Sequence, residues 1–355
     1  MATQLDRLLF EAAQRARIGW FSGQKLLAQR LAKPVKLPER LRGRDMPARE
    51  RLVADLRALL ERDWRNIEAG LYTMPEDWEG GPVAELRRAV DFFADLGAVE
   101  ARRHGEAADR AVLNDTHDGR YPRYYLQNFH FQSDGYLSEA SAERYDHQVE
   151  VLFGGGAAAM RRQALVPLRA ALLRGNGEVR SARLLDIGCG TGAFLREVKR
   201  NHPRLAVTGL DLSAPYLAVT QRRLADWSRV DLREGAAEAM PFEPARFDIV
   251  TCIYLMHELP PRTRRAVAAE IARVLKPGGT LIMVDSLQTG DVPDYNGLLD
   301  FFPVGFHEPY YASYLAEDFD ALLGPGFVPE ANDPAYFSKV LTYRRTAEGE
   351  IRHNM

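Results

Sequence analysis

The chain has 355 residues, of which 46% are hydrophobic and 27% are charged, and its formal net charge is −2 at pH 7. This composition excludes a disordered chain and predicts a packed core, with room for two domains or one large domain with additions. The near-neutral charge gives no overall attraction to nucleic acid or to an anionic membrane, so neither is expected as a partner. The N-terminus lacks the apolar run of a signal peptide, and no stretch is long enough to cross a bilayer. With Cys189 and Cys252 as the only cysteines, a reducing cytoplasm is the expected location.

The first part of the chain, up to the glycines at residues 154–156, has helical periodicity. Apolar residues recur at helix spacing in three stretches, which predicts three helices. The third helix is predicted from Pro82, which suits a first turn, to Gly97, which suits a stop. The periodic residues are Leu5, Leu8, Leu9 and Ala12 in the first helix, Leu52, Leu56, Leu59 and Leu60 in the second, and Leu86, Val90, Phe93 and Leu96 in the third.

Strands and helices alternate after residue 156. A helix from Ala157 to Leu173 is followed by strand RLLDIG, helix FLREVKR, strand RLAVTGLDL, a helix from Ala214 to Trp227, strand FDIVTCIYL, helix TRRAVAAEIARVL and strand TLIMVDS. This alternation predicts an α/β fold with a doubly wound parallel sheet, and the apolar run of RLLDIG predicts burial on both faces. The stretch GFVPEANDPAYFSKVLTYRR predicts two further strands, which we expect to form an antiparallel pair at one edge.

The stretch LLDIGCGTGAF, residues 184–194, is a glycine loop of the kind that holds a nucleotide cofactor. It fits both the G-x-G-x-x-A pattern of dinucleotide sites and the D-x-G-x-G-x-G pattern of S-adenosylmethionine sites. Asp186 favours the second, because its carboxylate disfavours a pyrophosphate but attracts the ammonium and sulfonium of S-adenosylmethionine. Gly188, Gly190 and Gly192 let the backbone approach the ligand, and Asp211 after the next strand can accept both ribose hydroxyls of either cofactor.

Four motifs together carry a family resemblance: LLDIGCGTG, GLDLS, FDIVTCIYLMHELP and LKPGGTLIMVD. In this order and spacing the chain resembles the class I S-adenosylmethionine-dependent methyltransferases over roughly residues 164–345, and in particular the branch of the ubiquinone and menaquinone C-methyltransferases and many small-molecule methyltransferases. The resemblance implies a seven-stranded Rossmann-like sheet with a final antiparallel strand. Residues 1–153 do not match that branch closely. We therefore expect a helical lid and substrate-specificity domain over residues 1–153 and a methyltransferase domain over residues 157–355.

One position departs from the family pattern. In EGAAEAMPF the family usually carries an acid just after the glycine, near the adenine amino group, and here that position is Ala236. Two interpretations stay open. Glu238 or a backbone carbonyl takes over the hydrogen bond, or apolar contacts from Leu212 and Ala237 hold the adenine.

The methyl acceptor is expected above the carboxyl end of the fourth strand, where the sequence is YLMHELP. His257 there is a candidate general base, since imidazole titrates near neutral pH. The alternative is a histidine at a helix start, bonded to the backbone. His307 in FHEPYY is a second candidate, in an insertion of a kind that covers the acceptor site in this family. No ligand spacing on a single element supports a metal site, and none is predicted.

The stretch from Arg120 to Gln148 is unusually aromatic and is predicted to line a pocket for a flat or apolar acceptor. The alternative is an interface that docks the helical domain onto the sheet domain. The predicted acceptor-binding residues are Tyr121, Tyr125, His130 and Tyr136.

These features together predict methyl transfer from S-adenosylmethionine to a small molecule, with a hydroxyl of an aromatic or apolar metabolite as the expected acceptor. The alternatives are C- or N-methylation, a nicotinamide-dependent oxidoreductase, and a module that binds the cofactor without catalysis. The expected partner is a small-molecule substrate. The sequence leaves a homodimer open.

Overall fold

The computed structural model describes residues 2–34, 38–105, 119–175 and 179–346, and the chain divides into two compact units. The first, here called the helical unit, comprises Met1–Met160 and Asp294–Pro309. The second, the sheet unit, comprises Arg161–Pro293 and Tyr310–Met355. A short segment late in the sequence therefore belongs to the helical unit. No helix in the described ranges is long and apolar enough to cross a membrane.

The helical unit contains long helices that pack around a partly polar interior. Its helices are α1 (Gln4–Leu31), α2 (Arg49–Glu68), α3 (Gly81–Arg103), α4 (Glu139–Leu152) and α10 (Asn296–Gly305), and α5 (Ala157–Arg162) contains the boundary to the sheet unit. Leu56 and Leu59 of α2 are buried, as the periodicity predicts.

The predicted apolar stripe of α1 is wrong. Leu5, Leu8 and Leu9 are more than half exposed, and the residues of α1 that are buried are Phe10, Gln14, Arg17, Phe21 and Gln24. The reason is that the interior of this unit contains bonded polar groups. The guanidinium of Arg17 lies 2.6 Å from Glu150 Oε1, and the imidazole of His147 lies 2.8 Å from both Glu85 and Gln24.

The predicted end of the third helix is also wrong, because α3 continues through Gly97 to Arg103. A side chain at Gly97 would meet nothing within 4 Å, so this glycine lies on an open helix face. Leu86 and Val90, predicted to be inside, are 57% and 60% exposed. The predicted stripe of α3 is therefore divided, since Phe93 and Leu96 are half-buried.

The sheet unit contains a seven-stranded sheet, as predicted. Its strands are β1 (Arg183–Ile187), β2 (Ala206–Asp211), β3 (Val230–Glu234), β4 (Phe247–Ile253), β5 (Leu275–Ser286), β6 (Phe327–Ala335) and β7 (Ser338–Arg345). They lie in the order β3-β2-β1-β4-β5-β7-β6, with β1 to β5 parallel and β7 antiparallel to both neighbours. The final antiparallel pair is thus confirmed. Strand β3 was not predicted from the pattern, because as a half-exposed edge strand with the sequence VDLRE it has no apolar run.

Helices flank this sheet and connect its strands. They are α6 (Leu165–Arg174), α7 (Ala193–Asn201), α8 (Ala214–Arg223), α9 (Pro261–Val274), α11 (Tyr311–Tyr314) and α12 (Phe319–Leu323). The helix predicted from Ala157 to Leu173 is instead two helices, α5 and α6. The connections after β1 and β2 leave the sheet at its carboxyl edge, beside the point where the strand order reverses between β1 and β4. Ligands of open α/β sheets bind at such a point.

Candidate functional site

The glycine loop joins β1 to α7 through three left-handed residues. Gly188, Gly190 and Gly192 have φ values of +65°, +55° and +75°, a region that costs little only for glycine. The loop is fastened from outside, since Thr220 Oγ1 of α8 donates to the Gly190 carbonyl at 2.7 Å and Cys189 N donates to the Leu210 carbonyl at 3.0 Å. The backbone of the loop is therefore preformed.

The three glycines have different reasons to lack a side chain. A Cβ at Gly192 would lie 2.6 Å from Thr220 Cγ2, so Gly192 lets α8 pack against the loop. A Cβ at Gly188 would lie 3.1 Å from Leu255. At Gly190 the nearest atom would be 4.0 Å away. Gly190 thus borders open space, which is the property expected where a ligand approaches the backbone.

Two carboxyl groups flank the loop. Asp186 on β1 is buried and its Oδ1 accepts a hydrogen bond from Thr251 Oγ1 at 2.6 Å. Asp211 at the end of β2 accepts from the backbone NH of Gly190 and of Ser213, both at 2.8 Å. These two residues lie on adjacent parallel strands, which brings them to the same edge of the sheet.

Withdrawal from water dominates the ionisation of both groups. It raises the pKa of Asp186 to about 7, against the hydrogen bond from Thr251, and the nearby Asp211 raises it further. It also raises the pKa of Asp211 to about 6, although the backbone NH groups of Ser213, Gly190 and Leu212 favour the carboxylate. Within the described ranges, neither Asp186 nor Asp211 forms an ion pair with a cationic side chain. Two adjacent carboxyl groups without a cationic partner favour a positively charged ligand over an anionic one.

The residues expected beside the adenine lie at the same edge. Leu212 follows β2 directly, and Ala237 and Glu238 follow β3, with Asp211 opposite Glu234 in the parallel register. All three side chains are half-buried. The structure brings Leu212, Ala237 and Glu238 to the strand end that carries Asp211, and both interpretations of the adenine contact stay open.

His257 lies in a helical turn, Met256–Glu258, just after β4. Its Nδ1 is 2.6 Å from Oδ1 of Asp285, and the side chain is buried between the edges of Tyr311 and Tyr314. Asp285 near the end of β5 also accepts from the backbone NH of Met256. When Nδ1 donates to the carboxylate, Nε2 keeps its lone pair and can accept a proton.

Sequence reasoning missed Asp285. The Nδ1 atom of His257 is bonded to this carboxylate, whereas the alternative interpretation expected a bond to the backbone. The sequence feature that could have revealed Asp285 is the acid in MVDS at the end of the fifth strand. The parallel register of β4 and β5 places this acid next to the residues that follow β4.

The other predicted residues lie in the helical unit. His307 has a left-handed backbone and its ring lies 5.4 Å from that of Phe131. The aromatic stretch folds into one cluster, in which Tyr121 stacks on Tyr125 at 5.7 Å and Tyr125 contacts Tyr136 at 6.0 Å. His130 completes the cluster at 6.5 Å from Tyr136, and its Nδ1 is 3.2 Å from Glu308 Oε1. The two histidines proposed for catalysis thus belong to different units.

Comparison with known proteins identifies the family. Residues 184–279 match a family described as a methyltransferase domain. The chain is 34% identical to the demethylmenaquinone methyltransferase of Lactiplantibacillus plantarum over 158 residues, which are 43% of this chain and 62% of that protein. It is 31% identical to the ubiquinone/menaquinone biosynthesis C-methyltransferase of Methylobacterium nodulans over 222 residues, 59% of this chain and 83% of that protein.

Among solved structures, the N-methyltransferase NodS of Bradyrhizobium japonicum with bound S-adenosylhomocysteine matches 52% of this chain and 86% of its own, at 17% identity and a TM-score of 0.39. The sequence relatives, the matched methyltransferase domain and the seven-stranded sheet agree. The chain belongs to the class I S-adenosylmethionine-dependent methyltransferases, in the branch that includes the ubiquinone and menaquinone C-methyltransferases.

Proposed function

We propose that this methyltransferase binds S-adenosylmethionine at the glycine loop and methylates a hydroxylated aromatic or apolar small molecule. The observation that supports the binding site is the pair of carboxyl groups with raised pKa values beside the open space at Gly190. A cofactor that carries an ammonium and a sulfonium supplies the missing positive charge, whereas a pyrophosphate adds negative charge. When bound, S-adenosylmethionine supplies an electrophilic methyl group.

Each residue at the loop has a proposed task. Asp186 attracts the positive charge of the methionine part, and Gly188, Gly190 and Gly192 shape the backbone around it. Asp211 has lone pairs beyond those used by Gly190 and Ser213, and these accept the ribose hydroxyls. Leu212, Ala237 and Glu238 hold the adenine, by apolar contact, by a hydrogen bond or by both.

His257 is proposed as the base. A neutral hydroxyl is a poor nucleophile, and transfer of its proton to His257 Nε2 leaves an oxyanion that attacks the methyl carbon. The bond between sulfur and the methyl group breaks as the new bond forms, and the thioether S-adenosylhomocysteine is the leaving group. Asp285 holds the imidazole in the required tautomer and stabilises the imidazolium that forms. His307 is the second candidate for this task.

C-methylation is the second candidate reaction. The two named sequence relatives include a ubiquinone/menaquinone biosynthesis C-methyltransferase. Removal of a phenolic proton raises the electron density at the adjacent ring carbon as well as at oxygen, so the same base serves the first step of either reaction. In C-methylation the methylated ring carbon then loses its own proton to solvent, which restores the aromatic ring. The position of the methyl group in the product distinguishes the two.

Acceptor binding is assigned to the helical unit. Tyr121, Tyr125, His130 and Tyr136 supply a cluster of ring faces and edges with one polar, titratable member. Such a surface suits a flat acceptor. The alternative, that these rings dock one domain on the other, predicts that their substitution lowers stability without changing substrate preference.

We also propose that the chain forms a homodimer through the outward face of α1 and α3. Leu5, Leu8 and Leu9 at one end of α1 are 64%, 59% and 56% exposed, and Leu26 and Leu27 at the other end are 51% and 48% exposed. Exposed apolar side chains at this density on a folded protein mark an interaction surface.

Two features favour a second copy as the partner. Leu5 and Leu27 lie at equal distances, 11 residues, on either side of Ala16. If the α1 helices of two copies cross antiparallel at Ala16, Leu5 of each copy therefore lies opposite Leu27 of the other, as two-fold symmetry requires. The surface also continues onto α3, which runs beside α1 through the contacts Trp20–Glu85 and Lys33–Glu100. Two adjacent helices of this length offer on the order of 600 Å², close to the roughly 800 Å² per partner of a stable interface.

The first prediction concerns Gly190. Gly190→Val should abolish binding of S-adenosylhomocysteine, measured by titration calorimetry, because the side chain enters the space assigned to the ligand. Gly278→Val is the matched control: Gly278 also has a left-handed φ, +77°, and open space around it, but lies near the start of β5, away from the loop. Both variants should lose about 1–2 kcal/mol of stability from backbone strain, and only Gly190→Val should lose the ligand. Wild-type affinity in Gly190→Val would show that the loop is not the binding site.

The second prediction is a pH dependence of cofactor affinity. Both carboxyl groups are neutral below their pKa values and negative above them, so attraction to a cationic ligand is lost as the pH falls through about 7 for Asp186 and about 6 for Asp211. We expect S-adenosylmethionine to bind about 10-fold more tightly, or more, at about pH 7.5 than at about pH 5.5. Asp186→Asn keeps an acceptor for Thr251 but cannot ionise, and should remove the step near pH 7. An affinity that is constant over this range in the wild-type protein contradicts the role of both groups.

The third prediction concerns the base. With a panel of alkylated phenols and naphthoquinols as acceptors, His257→Ala and His257→Gln should lower kcat by about 10²- to 10⁴-fold, while the affinity for S-adenosylhomocysteine stays unchanged. Asp285→Asn should lower kcat by about 10-fold or more, since it disturbs only the orienting partner. His202→Gln, a histidine after α7, is the control and should turn over normally. If both His257 variants turn over like the wild type at every pH, His257 is structural.

The fourth prediction tests the dimer by light scattering. The wild-type protein should have twice the 40.0 kDa mass of one chain. Gly19→Leu should give a monomer without loss of fold, because a side chain there meets nothing within 4 Å in its own copy and leucine favours a helix over glycine. Leu9→Asp should also give a monomer, whereas Leu173→Asp, an equally exposed leucine of the sheet unit, should leave the dimer intact. A monomeric wild-type protein, including one that binds lipid vesicles through α1, contradicts the proposal.

A further inference from the structure

The helical unit contains a cavity of about 400 Å³. It is lined by the C-terminal part of α1, by α3, α4 and α10, and by residues between these helices such as His130 and Gln132, so every lining residue belongs to this one unit. Apolar side chains form most of the lining: Phe92, Leu96, Val99, Leu152, Phe301 and Phe306. Volume and lining are those of a small-molecule site.

Lys25 of α1 brings a positive charge to this apolar wall. Its Nζ donates to the Leu152 carbonyl at 2.8 Å, and this is the one hydrogen bond that the ammonium makes among the described residues. An ammonium has three donors, so two are left for another acceptor. Burial lowers the pKa of Lys25, and no carboxylate of the described ranges forms an ion pair with it.

Two further lining groups have unused hydrogen-bonding capacity. The Nε of Arg103 and the Oε1 of Gln148 are buried without a hydrogen-bond partner among the described residues. The guanidinium of Arg103 pairs with Glu100 at 2.5 Å and lies 5.8 Å from the ring centres of Phe131 and Phe306. It is thus partly neutralised, while Lys25 is not.

The charge on the lining is unbalanced. Lys25 and Arg103 face one carboxylate of the lining, Glu100, and that carboxylate pairs with Arg103. A buried charge without a counter-charge destabilises a protein, and it is tolerated where a ligand supplies the opposite charge. An apolar cavity with a surplus of positive charge selects an amphiphile with a negatively charged oxygen group.

We propose that this cavity binds an apolar molecule with an anionic oxygen head group, a carboxylate or phenolate, whose charge is matched by Lys25. If this ligand is also the methyl acceptor, that part of the proposal rests on the proposed function. The binding site itself does not depend on that function.

The test compares two ligands with the same apolar body. 4-Hexyloxybenzoate carries the charge and its methyl ester does not. By titration calorimetry the wild-type protein should bind the benzoate about 10- to 100-fold more tightly than the ester, the range of a charge-assisted hydrogen bond. Lys25→Met, which replaces the ammonium by an apolar group of similar length, should remove this preference. Lys33→Met, an exposed lysine of the same lining, should keep it.

Two controls locate the site and exclude misfolding. Leu96→Trp should fill the cavity and abolish binding of both ligands. Lys25→Met should melt at the same or a higher temperature than the wild type, because it removes an uncompensated charge, and should bind S-adenosylhomocysteine normally.

Equal affinity of the wild type for both ligands, binding of neither, or an unchanged preference in Lys25→Met would overturn the proposal. If the wild-type protein does not bind S-adenosylhomocysteine, that result would instead contradict the proposed function and leave this site unaffected.

Discussion

The two carboxyl groups at the ends of β1 and β2 are the constraint on which the proposed cofactor site depends. Asp186 and Asp211 lie on adjacent strands without a cationic partner among the described residues, and withdrawal from water raises the pKa of both groups. The same contacts that make them tolerable also shape the site. Asp211 accepts from the Gly190 backbone, which fixes the loop in its left-handed conformation, and Asp186 is bonded across to Thr251 on β4. The same two groups therefore shape the loop and carry the proposed attraction to a cation.

The sheet unit could be predicted from the sequence because its local and global signals agree. Buried parallel strands are apolar throughout, and the glycine loop has a local backbone reason for each glycine. The pattern failed at β3, an edge strand without an apolar run, and at Asp285, which is 28 residues from His257. That pair exists because β4 and β5 are neighbours in register, with Ile253 opposite Val284, and no local pattern contains this information.

The helical unit was harder to predict for a different reason. Periodicity located α1 and the start of α3, but it assigns the apolar face to the interior. Here the buried face of α1 carries Arg17 and Gln24, which are bonded to Glu150 and His147 on α4. A buried polar residue is stable where its partner is another buried residue, and sequence spacing cannot show that partner. The leucines left outside are the basis of the proposed dimer.

Neighbouring polar residues of α1 have different roles: some stabilise the packing of the helix, and one is proposed to bind a ligand. Arg17 and Gln24 have buried partners, and such satisfied groups fix the packing of α1 on α4. Lys25 follows directly, faces the cavity, and has a backbone carbonyl but no counter-charge within the described ranges. The sheet unit has the opposite imbalance, with two carboxyl groups that lack a cation. Each imbalance therefore favours a ligand group of the opposite charge, a cation at the glycine loop and an anion in the cavity.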